Sequence, residues 1–468
     1  MKRVLGGLLV AAAIAGYGCG GVPEHQGLSP DQLLEQLRAL PGVTADMAPT
    51  ERANYHYYVL HFTQPVDHND PSQGTFQQEV SLLHRSEIAP VPMIVQTSGY
   101  FDFNLDRPVE LTAMLAANQV SIEHRYYGQS RPVPTDWTKL TIAQMAADEH
   151  EIITALRGIY HGAFLTTGGS KGGMTAVYHR RFYPDDVEGT VAYVAPLTFG
   201  TEDTRYSDFI ETLGPASCRQ AVREVAVEML AHRRDAMLAR AQLQPSHTYT
   251  RVAIGPALEA AIVSLEWSFW QYAGASACGS VPLVTASDDE LFAFLDEVSP
   301  VSNCDDRELA RFESYIYQSY AELGFPDGGT DYLNSYKLYT EADYEGELPT
   351  EEPTLNRHAM RDIDDYVEHH GEHLLFIYGE WDPWTAGKFV LGNAVDSEVL
   401  IQPQGTHSAR IATLEASDRD LAFAMLKAWT GVLPVMPLVR RSGSEAAGQD
   451  SDEMLRRMPP LLVHGEPK

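Results

Sequence analysis

Residues 163–183, AFLTTGGSKGGMTAVYHRRFY, decide how the rest of the chain is read. The apolar and β-branched run Ala163 to Thr167 predicts a short buried strand. Met174 to Phe182, with neither Gly nor Pro inside it, predicts a helix. Between them stands Gly168-Gly169-Ser170-Lys171-Gly172-Gly173. This is the G-x-S-x-G arrangement, in which a strand turns into a helix so abruptly that the serine is strained and its Oγ exposed. Glycine at 168 and 172 has a steric purpose, because side chains there would collide with the neighbouring strand and helix. A serine at a helix N-terminus also lets the backbone N–H of Lys171 point at an oxyanion.

Upstream, Pro30 to Leu40 has a short helical pattern, and Tyr55 to Thr63 alternates and is rich in aromatics, as a strand should be. Residues 62–84, FTQPVDHNDPSQGTFQQEVSLLH, read as a turn-rich loop between two strands. Pro90 to Thr97 is a strand ending at Ser98-Gly99-Tyr100. Asn118 to Glu123 is another, followed by a turn in which Glu123 is expected to pair with Arg125. Thr141 to Tyr160 has helical spacing, with Met145, Ile152, Ile153 and Leu156 on its apolar side. Downstream, Gly189 to Pro196 makes one more strand, and then the alternation stops. Residues 201–355 are helical and loop-like and contain the aromatic cluster Trp267, Phe269, Trp270 and Tyr272. The rhythm resumes with a helix near 357–370, strands Leu374 to Tyr378 and Glu398 to Gln402, and a helix from Ala416 to Trp429. Strands alternating with helices predict a mostly parallel sheet with an antiparallel start, wrapped by helices. The expected organisation is an α/β-hydrolase domain over 50–200 and 356–435, with a helical cap inserted over 201–355.

A serine hydroxyl needs a base within hydrogen-bond reach and a carboxylate to hold that base in one tautomer. In the α/β-hydrolase layout these follow the serine in the order acid, then histidine, on loops after late strands. Asp382 lies just past one strand, in Gly379-Glu380-Trp381-Asp382-Pro383-Trp384, and His407 just past the next, in Gly405-Thr406-His407. Ser170, Asp382 and His407 are therefore the expected nucleophile, orienting acid and base, with Glu380 the rival acid. The second oxyanion donor is expected from the N–H of Tyr100, with Gly99 as alternative.

The first residues, MKRVLGGLLVAAAIAGYGCGG, carry two positive charges, an apolar run and small residues before Cys19, which reads residues 1–18 as an export signal. Two readings stay open, an outer-surface lipoprotein with a lipid on Cys19 and a secreted or periplasmic protein. Residues 19–49 read as a spacer and N-terminal segment, and 436–468 as a polar tail. With Cys19 set aside, Cys218, Cys278 and Cys304 allow one disulfide. Cys218–Cys278 is the expected pair, with Cys304 the competitor for either partner. No CxxC or Cys/His pattern supports a metal, and nothing calls for a cofactor. A formal net charge of −30 repels nucleic acid and anionic lipid. It suits either solubility or attraction of cationic peptides with a free N-terminus.

The blocks FTQPVDHNDPSQGTFQQ, IEHRYYGQSRP, TGGSKGGMTAVYHRRFYPDDVEGTVAYVAP, FWQY, YGEWDPW and GTHSARI resemble the secreted bacterial prolyl tripeptidyl aminopeptidases. These are serine peptidases in the same broad group as lysosomal prolyl carboxypeptidase and dipeptidyl peptidase II. The resemblance runs from about residue 50 to 430 and implies a capped α/β-hydrolase that removes short N-terminal peptides, often after proline. It carries the nucleophile, acid and base onto Ser170, Asp382 and His407. A peptidase of this kind must anchor the substrate's α-ammonium, and Asp102, Glu202 and Asp203 are the candidate carboxylates. Trp267 and Trp270 are candidates for a proline pocket, against the plainer reading as cap core. An esterase or lipase would use the same three residues, and a binding protein on an inactive hydrolase scaffold would be expected to lack at least one.

Overall fold

The computed structural model describes residues 28–85, 91–102, 106–349, 351 and 353–437. The proposed signal segment, Cys19 and almost all of the polar tail lie outside them. The chain begins with helix α1, Pro30–Arg38, which starts on a capping box: Ser29 accepts from the Gln32 N–H while the Gln32 side chain accepts from Ser29. Strands β1 (Val43–Ala48), β2 (Tyr55–Pro65) and β3 (Thr75–Arg85) follow, then β4 (Met93–Thr97), α2 (Glu110–Leu115), β5 (Asn118–Ile122), α3 (Ile142–Arg157), β6 (Phe164–Gly169), α4 (Lys171–Phe182) and β7 (Gly189–Tyr193). The strands form one sheet in the order β1-β2-β3-β5-β4-β6-β7, continued by β8 (Leu374–Gly379) and β9 (Glu398–Gln402). Pairing is antiparallel from β1 to β5 and parallel from β5 onward.

The central strands are buried on both faces, as a parallel sheet covered by helices demands. Alternation sends neighbouring residues to opposite layers. Val95 and Phe164 pack with Leu33 and Leu37 of α1 and Ile152 and Leu156 of α3. Their neighbours Ile94 and Leu165 pack on the other side with Leu111 and Leu115 of α2 and with Leu426 of the last helix, Ala416–Thr430. Between β7 and β8 the chain leaves the sheet for the helices α5 (Thr204–Ile210), α6 (Ala216–Ala231), α7 (Arg234–Ala241), α8 (Ile254–Val263), α9 (Leu265–Ser268), α10 (Asp288–Val298) and α11 (Asp306–Gln318). Their apolar residues share one core with α4 and with helix Ala359–His370, so this layer is welded to the face above the carboxyl ends of the strands. A disulfide joins Cys218 on α6 to Cys278, and Cys304 is buried and free.

Three expectations are corrected. Residues 62–84 are not a loop: β2 and β3 pair throughout and only Val66 to Gly74 forms the turn. The sequence signal was masked because β3 carries polar residues inward; Gln78 is buried, binding Gln64 and the carbonyl of Glu123. The hydrolase body also begins before residue 50, since β1 pairs along β2 and Leu33 and Leu37 of α1 fill the core beneath. Finally, Glu123 does not pair with Arg125. The Arg125 guanidinium makes a bidentate contact with Asp148 of α3, at 2.6 and 2.7 Å, with both side chains fully buried. Glu123 instead accepts from the N–H groups of Gln129 and Ser130 and from Ser130 Oγ. Burial pushes the Glu123 carboxyl up to about 7.

Candidate active site

Ser170 stands between β6 and α4 with φ 53° and ψ −126°, outside the regions an L-residue adopts easily. The strain is held by close packing on both sides. A Cβ at Gly168 would lie 2.4 Å from the Gly172 carbonyl carbon, and one at Gly172 would lie 2.3 Å from the Thr97 oxygen. Only glycine lets β4, β6 and α4 approach this closely. Ser170 N–H donates to Tyr193 O at 2.8 Å and its carbonyl accepts from Met174, so the backbone is tied to both β7 and the helix it opens. As the first residue of α4, Lys171 has an N–H without an intrahelical acceptor, directed out of the helix start.

The loops after β8 and β9 bring Asp382 and His407 together. Asp382 caps a short turn, Pro383–Gly387, accepting from Trp384 N–H through Oδ1. Its Oδ2 lies 2.7 Å from His407 Nδ1, and the two residues are 0% and 3% exposed. The backbone N–H of His407 donates to Gln271 O of the cap at 2.9 Å, and the Tyr272 ring meets the imidazole edge to face. His407 Nε2 is buried and has no partner among the described residues. With Nδ1–H given to Asp382, Nε2 is the basic atom. The rival acid Glu380 points elsewhere, accepting from Gln404 N–H.

A narrow pocket opens beside Ser170, walled by Tyr100, Met174, Pro196, Tyr315, Leu323 and Trp384. Tyr315 and Leu323 come from the cap, so sheet and cap build it jointly. The expected binding residues are placed differently. Trp267 packs edge-on behind Trp384, 5.0 Å between ring centres, and does not line this pocket. Trp270 is fully buried in the cap against Phe269 and Trp381. Asp203 is the cap of α5 and pairs with Arg205 at 2.6 Å. Asp102 is buried and accepts from Ser81, and Glu202 is exposed. None of the three carboxylates lines the pocket that holds Ser170. The Tyr100 N–H donates to Ser98 Oγ at 3.1 Å, so in this arrangement it is not a free oxyanion donor. Sequence reasoning missed Trp384, although it stands two residues past Asp382 where the same turn must aim it inward. Gln271 and Tyr315 had no local signal, since a cap contact depends on how the insertion folds back. Among the described residues no cluster of His, Cys, Asp and Glu suits a metal ion.

A strained serine at an elbow, a buried Asp–His pair and a roofed pocket on a mostly parallel sheet define an α/β-hydrolase, and the comparisons with known proteins make it a serine peptidase. Residues 31–449 match the family model described as PS-10 peptidase S37, and the chain belongs to that family. It is 37% identical over 449 residues to the prolyl tri/tetrapeptidyl aminopeptidase of Streptomyces mobaraensis, covering 93% of each chain. The human lysosomal Pro-X carboxypeptidase is 32% identical over 188 residues, 34% of this chain and 36% of that one. Among solved structures, a proline iminopeptidase from Mycobacterium smegmatis aligns over 82% of this chain and 97% of its own, with 13% identity and a TM-score of 0.34.

Proposed function

We propose that this protein is an exported serine exopeptidase that releases short N-terminal peptides, chiefly tripeptides ending in proline, through an acyl-enzyme on Ser170. The observation that carries the reading is the buried contact between Asp382 and His407, which leaves Nε2 as the basic atom. His407 Nε2 takes the proton from Ser170 Oγ as that oxygen attacks the peptide carbonyl. The tetrahedral oxyanion is met by the N–H of Lys171 at the positive end of α4. His407 then returns the proton to the leaving amine, and with the same atom deprotonates the water that hydrolyses the ester.

Preference for proline is supported by the lining of the pocket. Tyr100, Tyr315 and Trp384 line the space beside Ser170, and apolar aromatic side chains suit contact with a prolyl ring. The near full-length similarity to a prolyl tri/tetrapeptidyl aminopeptidase favours removal of residues from the amino end, whereas the likeness to Pro-X carboxypeptidases covers about a third of the chain. Export rests on the leader and on the cysteine pairing.

Hydrolysis of Ala-Ala-Pro-nitroanilide with a free amine, its N-acetylated twin and a short-chain nitrophenyl ester tests the reading. Cleavage of the free tripeptide, with the acetylated twin at least tenfold slower, is expected. Cleavage of the ester alone would make the protein an esterase, and cleavage of none of the three would favour a binding scaffold.

A further inference from the structure

The side chain of Lys171, the residue after the nucleophile, has no part in the chemistry above and is 2% exposed. It runs inward, and its ammonium donates to the carbonyl of Gly99 at 2.6 Å. The rings of Tyr100 and Tyr127 face it, with centroids at 5.4 and 5.5 Å. No carboxylate among the described residues reaches ion-pair distance from it. Burying an ammonium without a counter-ion costs several kcal/mol, so this position is one where an apolar side chain would pack more cheaply. What the ammonium holds is specific. Gly99 has φ +71°, and a Cβ on it would lie 2.6 Å from Gly172 N, so the loop after β4 rests directly on the first turn of α4. Carbonyl and N–H of one peptide plane point opposite ways. The plane joining Gly99 to Tyr100 is therefore gripped at both ends, its oxygen by Lys171 and its N–H by Ser98 Oγ.

We propose that the Lys171 ammonium is a positioning residue for acyl transfer: it pins the Gly99–Tyr100 peptide and the Tyr100 wall of the pocket against the start of the serine-bearing helix, and sets a positive charge beneath the place where the oxyanion develops. This rests on Ser170 being the nucleophile. The rings of Tyr100 and Tyr127 face the ammonium, and Glu149 from α3, Glu322 from the turn after α11 and His124 from the loop after β5 act on it electrostatically. Burial keeps Glu149 well above the usual carboxylate range, and among the described residues neither of its oxygens has a hydrogen-bond partner. Burial likewise pushes Glu322 up to about 7 and holds His124 well below its ordinary value. The same burial, opposed by Glu149 and Glu322, brings Lys171 down to about 7. A lysine so placed is charged at the acid side of neutrality and loses its proton as pH rises, so its contribution fades on the alkaline limb.

Lys171→Met is compared with the wild type on Ala-Ala-Pro-nitroanilide, with rates expressed per site labelled by a fluorophosphonate so that only folded molecules count. A fall in kcat of roughly tenfold to a hundredfold with KM within about threefold is expected. Affinity for a peptide boronate that forms a tetrahedral adduct should fall in parallel, with affinity for the free tripeptide unchanged, and the slope of kcat with pH above neutrality should flatten. If the methionine variant yields no folded protein, Lys171→Gln, which keeps a donor without the charge, is read in the same way. A variant that labels, keeps kcat and binds the boronate as the wild type does would overturn the proposal while leaving Ser170 as nucleophile. Failure of the wild type itself to label would instead remove the reading on which it rests.

Discussion

Asp382 Oδ2 and His407 Nδ1 meet at 2.7 Å with both side chains shut off from solvent, and they arrive there from turns after two adjacent parallel strands. Because the carboxylate fixes which nitrogen carries the proton, its replacement should act on chemistry rather than on binding. Asp382→Asn is expected to lower kcat by about three to four orders of magnitude with KM little changed. Steady-state kinetics on the tripeptide nitroanilide check this; a loss below about tenfold would point to another acid.

The elbow gives a pair of contrasting substitutions. Gly172→Ala drives a methyl to 2.3 Å from the Thr97 oxygen, whereas a Cβ on Gly169 meets nothing within 4 Å. The first should cost about 1–3 kcal/mol or more and abolish activity, and the second should leave both nearly intact. Urea unfolding with a parallel rate measurement separates them.

Trp384 closes the pocket from the Asp382 side, backed by Trp267. Trp384→Ala should lower kcat/KM for a substrate with proline at the cleavage point by about tenfold to a hundredfold, since a desolvated aromatic wall contributes roughly 1–3 kcal/mol. An alanine substrate should lose less. Equal losses on both would mean that the wall holds the fold rather than reads the ring.

The disulfide between Cys218 and Cys278 spans 60 residues of the cap. On the chain-entropy account, opening a loop of that length removes about 4 kcal/mol. Cys218→Ser should therefore lower the thermal midpoint and free Cys278 to react. Thiol titration of the folded wild type should find Cys304 silent until denaturant is added, because it is buried and burial raises its thiol far above neutrality.

His84 is held down to about 4 by burial, beside the Tyr160 hydroxyl. Its neutral form is the one that fits, so the unfolded chain binds the extra proton first. Stability is full above about 6.5 and declines as pH falls toward 4, by about 1.4 kcal/mol for each unit of difference between the two states at most. Below 4 the loss from this residue is complete. His84→Gln should flatten the decline between pH 6.5 and 4, measured as denaturant midpoints across that range.

What was legible in the sequence was what is decided locally. Gly168 and Gly172 announce the elbow because no other residue fits a backbone approach that close, and the ends of β8 and β9 announce Asp382 and His407 because loops after parallel strands gather on one edge. What depended on distant partners was hidden. Glu123 and Arg125 are two residues apart, yet one turns to Ser130 and the other to Asp148 on a helix formed later. Gln78, polar and inward, disguised β3 as loop. Trp267 and Trp270 have the composition of a pocket but sit behind it, because only the packing of the cap decides which aromatic of a cluster reaches the front. Asp102 and Asp203 were already occupied by Ser81 and Arg205.

Labelling the wild-type protein with a fluorophosphonate and mapping the adduct by peptide mass spectrometry tests directly whether Ser170 is the nucleophile. One adduct per molecule, on Ser170, formed in step with loss of peptidase activity and absent from His407→Ala, is the expected result. Stoichiometric inactivation with the adduct on another residue, or full activity after Ser170 has been modified, would contradict it.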